Sequence, residues 1–286
     1  MSPVTAGTRA REALDSAIIA IAAAGCETPR LDAELMLAGV LGVSRERLLT
    51  DRDLVVWGPA IRSFQDAVRR RVMQREPVAY ITGVRHFRRL ELAVDPRVLI
   101  PRPETELLVE VALARLPHGA RVLDVGTGSG AIALALADER PDLAAAGSDL
   151  SEDALAVARA NAARLGLDSV EWLRADLLDG VPDVFDAILS NPPYVAEADR
   201  AQLAPEILRH EPAGALFAGP DGLDAIRALI DQVAARERVR LLILEVGAGQ
   251  AEAVEEQMRR VGFADVRAER DLAGIERVVA GKCGTG

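Results

Sequence analysis

Only two cysteines occur in 286 residues, Cys26 and Cys283, near opposite ends of the chain. Thiols so placed make neither a disulfide framework nor a metal-ligand spacing, and both are read as incidental. Histidine is nearly as scarce, with His86, His118 and His210 at no ligand spacing, so no metal is expected. No G-x-S-x-G element is present, which excludes the nucleophile elbow of the serine hydrolases. Also lacking is any apolar run of the roughly 18 to 20 residues that a membrane-spanning helix requires. The first 25 residues carry Arg9, Arg11, Glu12 and Asp15 on an Ala/Ile-rich helical pattern, without the uninterrupted apolar core and cleavage site of a signal peptide. A soluble, cytoplasmic protein without a membrane partner is expected. No internal repeat or low-complexity linker is visible.

Positive charge is short overall. The net charge of −10 disfavours broad nucleic-acid binding, because phosphate neutralisation needs clustered Lys and Arg, and no stable nucleic-acid complex is expected. The sign is uneven, however. Between Arg69 and Leu90 seven arginines (69, 70, 71, 75, 85, 88, 89) face one acid, Glu76, a density that reads either as a partner-facing surface or as a solvated helix face.

What is present is length and patterning enough for two cores, with 50% hydrophobic residues. Residues 1–80 show apolar positions at three-to-four spacing in ALDSAIIAIAAAG, LDAELMLAGVLG and IRSFQDAVRRRV, punctuated by Gly25, Pro29, Gly42 and Gly58-Pro59, which predicts a small helical bundle. Residues 81–100 change period around Asp95-Pro96 and predict a β-hairpin linker. Residues 101–286 alternate strands with helices. Strands are expected at 121–125, 144–149, 170–174, 184–190 and 240–246, with helices near 130–138, 153–165 and 250–261. Such alternation predicts a doubly wound, mostly parallel α/β sheet with helices on both faces, and FADVRAERDLAGIERVVAGK predicts an antiparallel hairpin at its end.

The first strand runs into VGTGSGA, so Gly126, Gly128 and Gly130 form a turn into a helix, where backbone can approach a ligand and helix N–H groups are free. G-x-G-x-G preceded by Asp124 favours S-adenosylmethionine over the dinucleotides that use G-x-G-x-x-G. Asp149, ending the second strand, is placed to hold two ribose hydroxyls, and Asp176, past the third, to accept from an adenine amine. After the fourth strand comes LSNPPYV. Proline has no N–H and pushes the residue before it out of helical geometry, so Asn191 and Pro192 are expected to be extended at the ligand-binding end of the sheet. The Asn191 side-chain oxygen and the Pro192 carbonyl then suit the two hydrogens of a substrate NH2 group, with Pro193 shaping the loop and Tyr194 closing over it. Two such acceptors aim the nitrogen lone pair at an activated methyl and stabilise the charge that develops there.

REPVAYITGVRHF (75–87), LIPRPETELLVE (99–110), VLDVGTGSG (122–130), SNPPYV (190–195) and EPAGALFAGPDGLDAIRALI (211–230) together resemble the HemK/PrmC family. The resemblance covers the catalytic half and the hairpin, and the amino-terminal bundle follows in layout. It implies a seven-stranded Rossmann-like methyltransferase sheet and transfer of a methyl group to the glutamine amide in the Gly-Gly-Gln loop of class I peptide chain release factors. Carried over by position, Gly126, Thr127, Gly128, Ser129 and Gly130 form the cofactor loop, Asp149 holds the ribose, and Asn191 to Tyr194 hold the substrate glutamine. Thr105 is expected near the methionine end of the cofactor. Relatives often place an aromatic after the third-strand acid. Here Leu177 follows Asp176, so apolar packing against adenine is expected instead. The alternative is methylation of an exocyclic amine on nucleic acid, since Asn-Pro-Pro-Tyr also serves such enzymes. A non-catalytic cofactor-binding module is a third possibility, against which the intact motifs argue.

Overall fold

A computed structural model of the chain describes residues 7–51 and 53–283. It divides into two compact units, one formed by residues up to Val84 together with Ala204–His210, the other by Arg85–Leu203 with Glu211 onward.

The first unit is helical, with helices Ala10–Ala23, Pro29–Leu41, Arg45–Thr50, Gly58–Arg69 and Val78–Thr82 and a π-turn at Arg70–Gln74. A two-residue antiparallel pair joins Thr8–Arg9 to Val55–Val56. Local chemistry sets the boundaries. Pro29 opens the second helix, where its missing N–H is no loss, and Gly42 ends that helix at φ +63. Ser44 caps the next by accepting from the Arg47 N–H. Ile21, Ala33, Met36, Leu37 and Phe64 form the core. Inside this bundle the arginine-rich stretch turns inward. Arg71, 7% exposed, donates to Asp32 at 2.7 Å and to Glu206 at 2.9 Å, Arg75 reaches Glu206 at 2.7 Å, and Arg70 pairs with Glu76.

The second unit is built on a seven-stranded sheet. Its strands are β1 (Arg121–Val125), β2 (Ala144–Asp149), β3 (Glu171–Arg174), β4 (Ala187–Ser190), β5 (Leu241–Glu245), β6 (Phe263–Arg270) and β7 (Glu276–Cys283). Their order across the sheet is β6-β7-β5-β4-β1-β2-β3. The first five strands pair in parallel and β7 lies antiparallel to β5 and β6. Successive residues face opposite layers. Leu189 and Ile243 enter the core beneath helices Thr105–Arg115 and Ala131–Glu139, while Ile188, Leu242 and Leu244 enter the one beneath Asp224–Ala234 and Ala251–Arg260. β4 begins at Ala187 and not at Val184, because the Val184 N–H closes a turn onto the Pro182 carbonyl. The hairpin Val84–Phe87 and Leu90–Ala93 precedes the sheet, with Phe87, Leu90 and Leu92 buried in the first of these cores. Among the described residues no helix is long and apolar enough to cross a membrane.

The chain crosses from β1 to β2 on one side and reaches β4 on the other, so β1 and β4 are neighbours across the point where the strand order reverses. Val125 and Ser190 are register partners at their ends, and the Ser190 hydroxyl donates to the Val125 carbonyl at 2.7 Å. The glycine turn and the Asn-Pro-Pro-Tyr loop therefore leave the sheet side by side, at the crevice where open α/β sheets bind ligands.

Candidate active site

The glycine turn after β1 divides its work. Gly126 and Gly128, at φ +71 and +57, border open space, so a ligand can approach their backbone. Gly130 serves packing, since a Cβ there would come within 2.9 Å of the Trp172 ring and 3.0 Å of Leu134. The turn is held from below. Thr127 donates its N–H to the Ser148 carbonyl at 2.8 Å and its hydroxyl to Asp124 at 2.5 Å, while the Asn161 amide donates to the Ser129 carbonyl at 3.0 Å. Burial pushes the Asp124 carboxyl up to about 7, against the hydrogen bonds from Thr127 and the Ala133 N–H, with Asp149 adding repulsion. Asn161 is fully buried, and no motif in the sequence marks it. It exchanges two hydrogen bonds with the Ala93 backbone, 2.7 and 3.0 Å, so one amide ties the hairpin to the glycine turn.

Asp149 stands where the sequence places it, at the end of β2. Its two oxygens accept from the Gly128 N–H and the Ser151 N–H, both at 2.9 Å, which locks the carboxylate and leaves each oxygen a free lone pair. Leu150 beside it is 60% exposed, a large apolar side chain left in solvent at a ligand-binding edge. Asp176 is exposed and makes no side-chain hydrogen bond among the described residues. Leu177 sits at φ +50, half-buried, in the turn that the Asp179 N–H closes onto the Asp176 carbonyl. Open backbone at two glycines, a fixed carboxylate, a free carboxylate and exposed apolar surface match the parts of S-adenosylmethionine: ribose diol, adenine amine and adenine face.

At the end of β4, Asn191 donates its Nδ2 to the Thr105 hydroxyl at 3.1 Å. Its Oδ1 and the Pro192 carbonyl carry no hydrogen bond among the described residues. Thr105, buried at the start of its helix, is thus brought to the Asn-Pro-Pro-Tyr loop, where Glu245 at the end of β5 is also buried. Tyr194 donates its hydroxyl to the Glu245 carboxyl at 3.4 Å. Burial pushes the Tyr194 hydroxyl up to about 12, with the Glu245 charge adding to the shift. Sequence reasoning misses Glu245, since a carboxylate closing an apolar strand has no spacing signature.

The loop is then stitched to the segment that follows it. Val195 donates to the Leu216 carbonyl at 2.9 Å and accepts from Ala218 at 3.1 Å, and the Gln250 amide donates to the Tyr194 carbonyl at 3.0 Å. Gly222, at φ +76, leaves no room for a Cβ against that same carbonyl. Glu211, buried, accepts from the Ile100 N–H at 3.2 Å and from Arg102 at 2.6 Å. The segments LIPRPETE and EPAGALFAGPDG, far apart in sequence, therefore meet through one carboxylate beside the loop.

This site and sheet define a methyltransferase: residues 103–219 match the family model described as "Methyltransferase small domain", and residues 12–83 match "PrmC N-terminal domain". A methyltransferase from Pyrococcus furiosus superposes with a TM-score of 0.52 at 17% identity, covering 68% of this chain and 89% of that one, which speaks for the fold alone. The release factor glutamine methyltransferase of Geobacter sulfurreducens is 41% identical over 96% of both chains. That of Salmonella typhimurium is 42% identical over 90% of this chain and 93% of its own. The chain belongs to the release factor glutamine methyltransferase family.

Proposed function

We propose that this enzyme transfers the methyl group of S-adenosylmethionine to the N5 side-chain nitrogen of the glutamine in the Gly-Gly-Gln motif of class I peptide chain release factors. The observation that carries the reading is the asymmetric use of Asn191. Its NH2 group is engaged by Thr105, so its oxygen and the Pro192 carbonyl remain as paired acceptors beside the glycine turn. Bound S-adenosylmethionine supplies a methyl group already activated by the sulfonium.

An amide nitrogen is a poor nucleophile because its lone pair is delocalised. Asn191 Oδ1 and the Pro192 carbonyl, each accepting one N–H of the substrate amide, favour the pyramidal nitrogen whose lone pair is available, and they stabilise its growing positive charge. The new C–N bond forms as the C–S bond breaks with its electrons going to sulfur, and the nitrogen afterwards releases one proton. Gly126 to Gly130, Asp149, Asp176, Leu150 and Leu177 hold the cofactor, and Pro193 and Tyr194 shape the wall of the amide pocket. The helical bundle supplies the surface that docks the release factor, and the ribosomal work of that substrate makes the cytoplasm the site of action.

Incubation with labelled S-adenosylmethionine tests the reading. Label should enter a purified class I release factor and be lost when its Gly-Gly-Gln glutamine is replaced by glutamate, by about 10⁴ or more, as in sites built around a substrate N–H. Transfer to tRNA, rRNA or DNA in place of the release factor would overturn it.

A further inference from the structure

Among the described residues the sheet unit leaves three large apolar side chains exposed, Leu150, Leu272 and Ile275, and all three lie at the ligand-binding end of the sheet. Leu150 follows the end of β2, whereas Leu272 and Ile275 belong to the turn between β6 and β7. That turn is at the same end because β7 runs antiparallel to β5. Val278 pairs with Glu245, and the Val246 N–H, one residue past β5, donates to the Arg277 carbonyl at 2.8 Å. A single exposed leucine is ordinary on a protein surface. Confinement of every such side chain in the unit to its reactive end is not. Leu150 has a use beside Asp149, but the turn takes no part in methyl transfer.

The turn is rigid, and its charges are spent within it. Asp271 Oδ1 accepts from the Ala273 and Ile275 N–H groups, both at 2.9 Å, and Oδ2 from Arg277 Nε at 3.2 Å. The Asp271 N–H donates to the Ile275 carbonyl at 2.8 Å and Gly274, at φ +79, returns its N–H to the Asp271 carbonyl at 2.9 Å. Arg270 pairs with Glu276 at 2.6 Å. With the acids and arginines answering one another, a partner meets only apolar surface, led by Leu272, which is 110% exposed.

We propose that the turn 271–275 is a docking tip that seats an apolar surface of the substrate protein next to its methylated glutamine. The inference rests on the release-factor reading and names a surface that serves it. A glutamine side chain is short, so the backbone that carries it must come down onto the rim of the amide pocket. β7 lies two strands from β4, roughly 10 Å away. A standard interface covers about 800 Å² of each partner, a patch reaching roughly 16 Å from its centre. One centred on Asn191 therefore extends over the turn, and a locked tip offers its leucine without the ordering cost that a mobile loop would incur.

Leu272→Ser should raise KM for an intact release factor by about 5- to 30-fold, the scale for truncating an apolar anchor, while kcat changes by less than about two-fold. Leu272→Met, which keeps the apolar contact, should stay within about two-fold of wild type in both. The dissociation constant of the release factor, measured with S-adenosylhomocysteine in place of the methyl donor, should rise with KM. Thermal unfolding should not move, because the side chain packs against nothing in its own chain. Unchanged KM and unchanged release-factor affinity in Leu272→Ser would overturn the proposal, as would a fall in kcat at constant KM. Dimerisation of the enzyme that Leu272→Ser abolishes, with release-factor affinity untouched, would assign the tip to a second copy and overturn it as well. Leu272-dependent binding of a release factor that takes up no label would support the tip and fault the functional reading alone.

Discussion

Asn191 has chemically opposite ends, and the structure commits one of them: Nδ2 goes to Thr105, while Oδ1 has no partner among the described residues. Asn191→Ala deletes one of two acceptors for the amide hydrogens and should lower single-turnover methyl transfer by roughly 10² to 10³, the cost of one positioned polar group in a preorganised site. Affinity for S-adenosylmethionine should change far less than turnover, because the interaction matters most as charge develops on nitrogen. Calorimetry and rapid-quench rates at equal cofactor saturation check this pair. A variant with normal transfer would mean that the asparagine only shapes the loop. The prolines act on the backbone around it, keeping Asn191 and Pro192 from continuing as helix or sheet.

At the scale of elements, the end of β1 and the glycine turn hold a buried acid. Asp124 anchors the turn through Thr127, and its carboxyl is raised to about 7 while an unfolded chain holds it near the ordinary value of 3.8. Between those values the folded state binds a proton that the unfolded state does not. Stability from this group is therefore fully present below about pH 4 and is lost as pH rises through about 7. Asp124→Asn removes the ionisation, and its oxygen still accepts from Thr127. The variant should be more stable than wild type at pH 8, by on the order of 3 kcal/mol, and the gain should vanish toward pH 4, as read by thermal or denaturant unfolding. A gain independent of pH would show that Asp124 binds the same number of protons folded and unfolded, so that burial does not raise its carboxyl.

Across the whole molecule, the arginine-rich stretch that suggests a docking face serves mainly to hold the fold. Arg71 and Arg75 share Glu206, and Arg70 pairs with Glu76 within the helical unit. In the sheet unit Arg88, 16% exposed, pairs with Glu139 and Glu110, and Arg85 donates to the Pro101 carbonyl at 3.1 Å. Arg89 alone of that trio stays in solvent, 73% exposed. Arg85, Arg88 and Arg89 are therefore not a joint steering patch. Arg88→Gln leaves the Glu139 carboxylate with only the more distant Arg89, 3.9 Å away, and should cost about 1.5 to 3 kcal/mol of stability. The salt dependence of methylation of an intact release factor should stay unchanged, because a paired, part-buried charge contributes little to long-range steering. A flatter salt dependence at full stability would restore the docking role.

Much of the sheet and of the glycine turn is legible in residue types alone. The strands at 121–125 and 144–149 follow from apolar runs that suit a buried parallel strand, and the glycine turn and Asn-Pro-Pro-Tyr carry their geometry in residues that free or restrict φ and remove N–H groups. Local signals of this kind depend on neighbours a few residues away, so the chain states them directly. Which acid meets which arginine does not. Glu206 lies 135 residues from Arg71, Glu211 109 from Arg102, and Asn191 86 from Thr105, and only the fold brings each pair within hydrogen-bonding distance. Whether an arginine faces a partner or a buried carboxylate, and whether Glu245 is a surface charge or a buried carboxyl that accepts from Tyr194, was decided by tertiary packing. Burial makes an unpartnered charge costly, and so selects partners that sequence spacing cannot name.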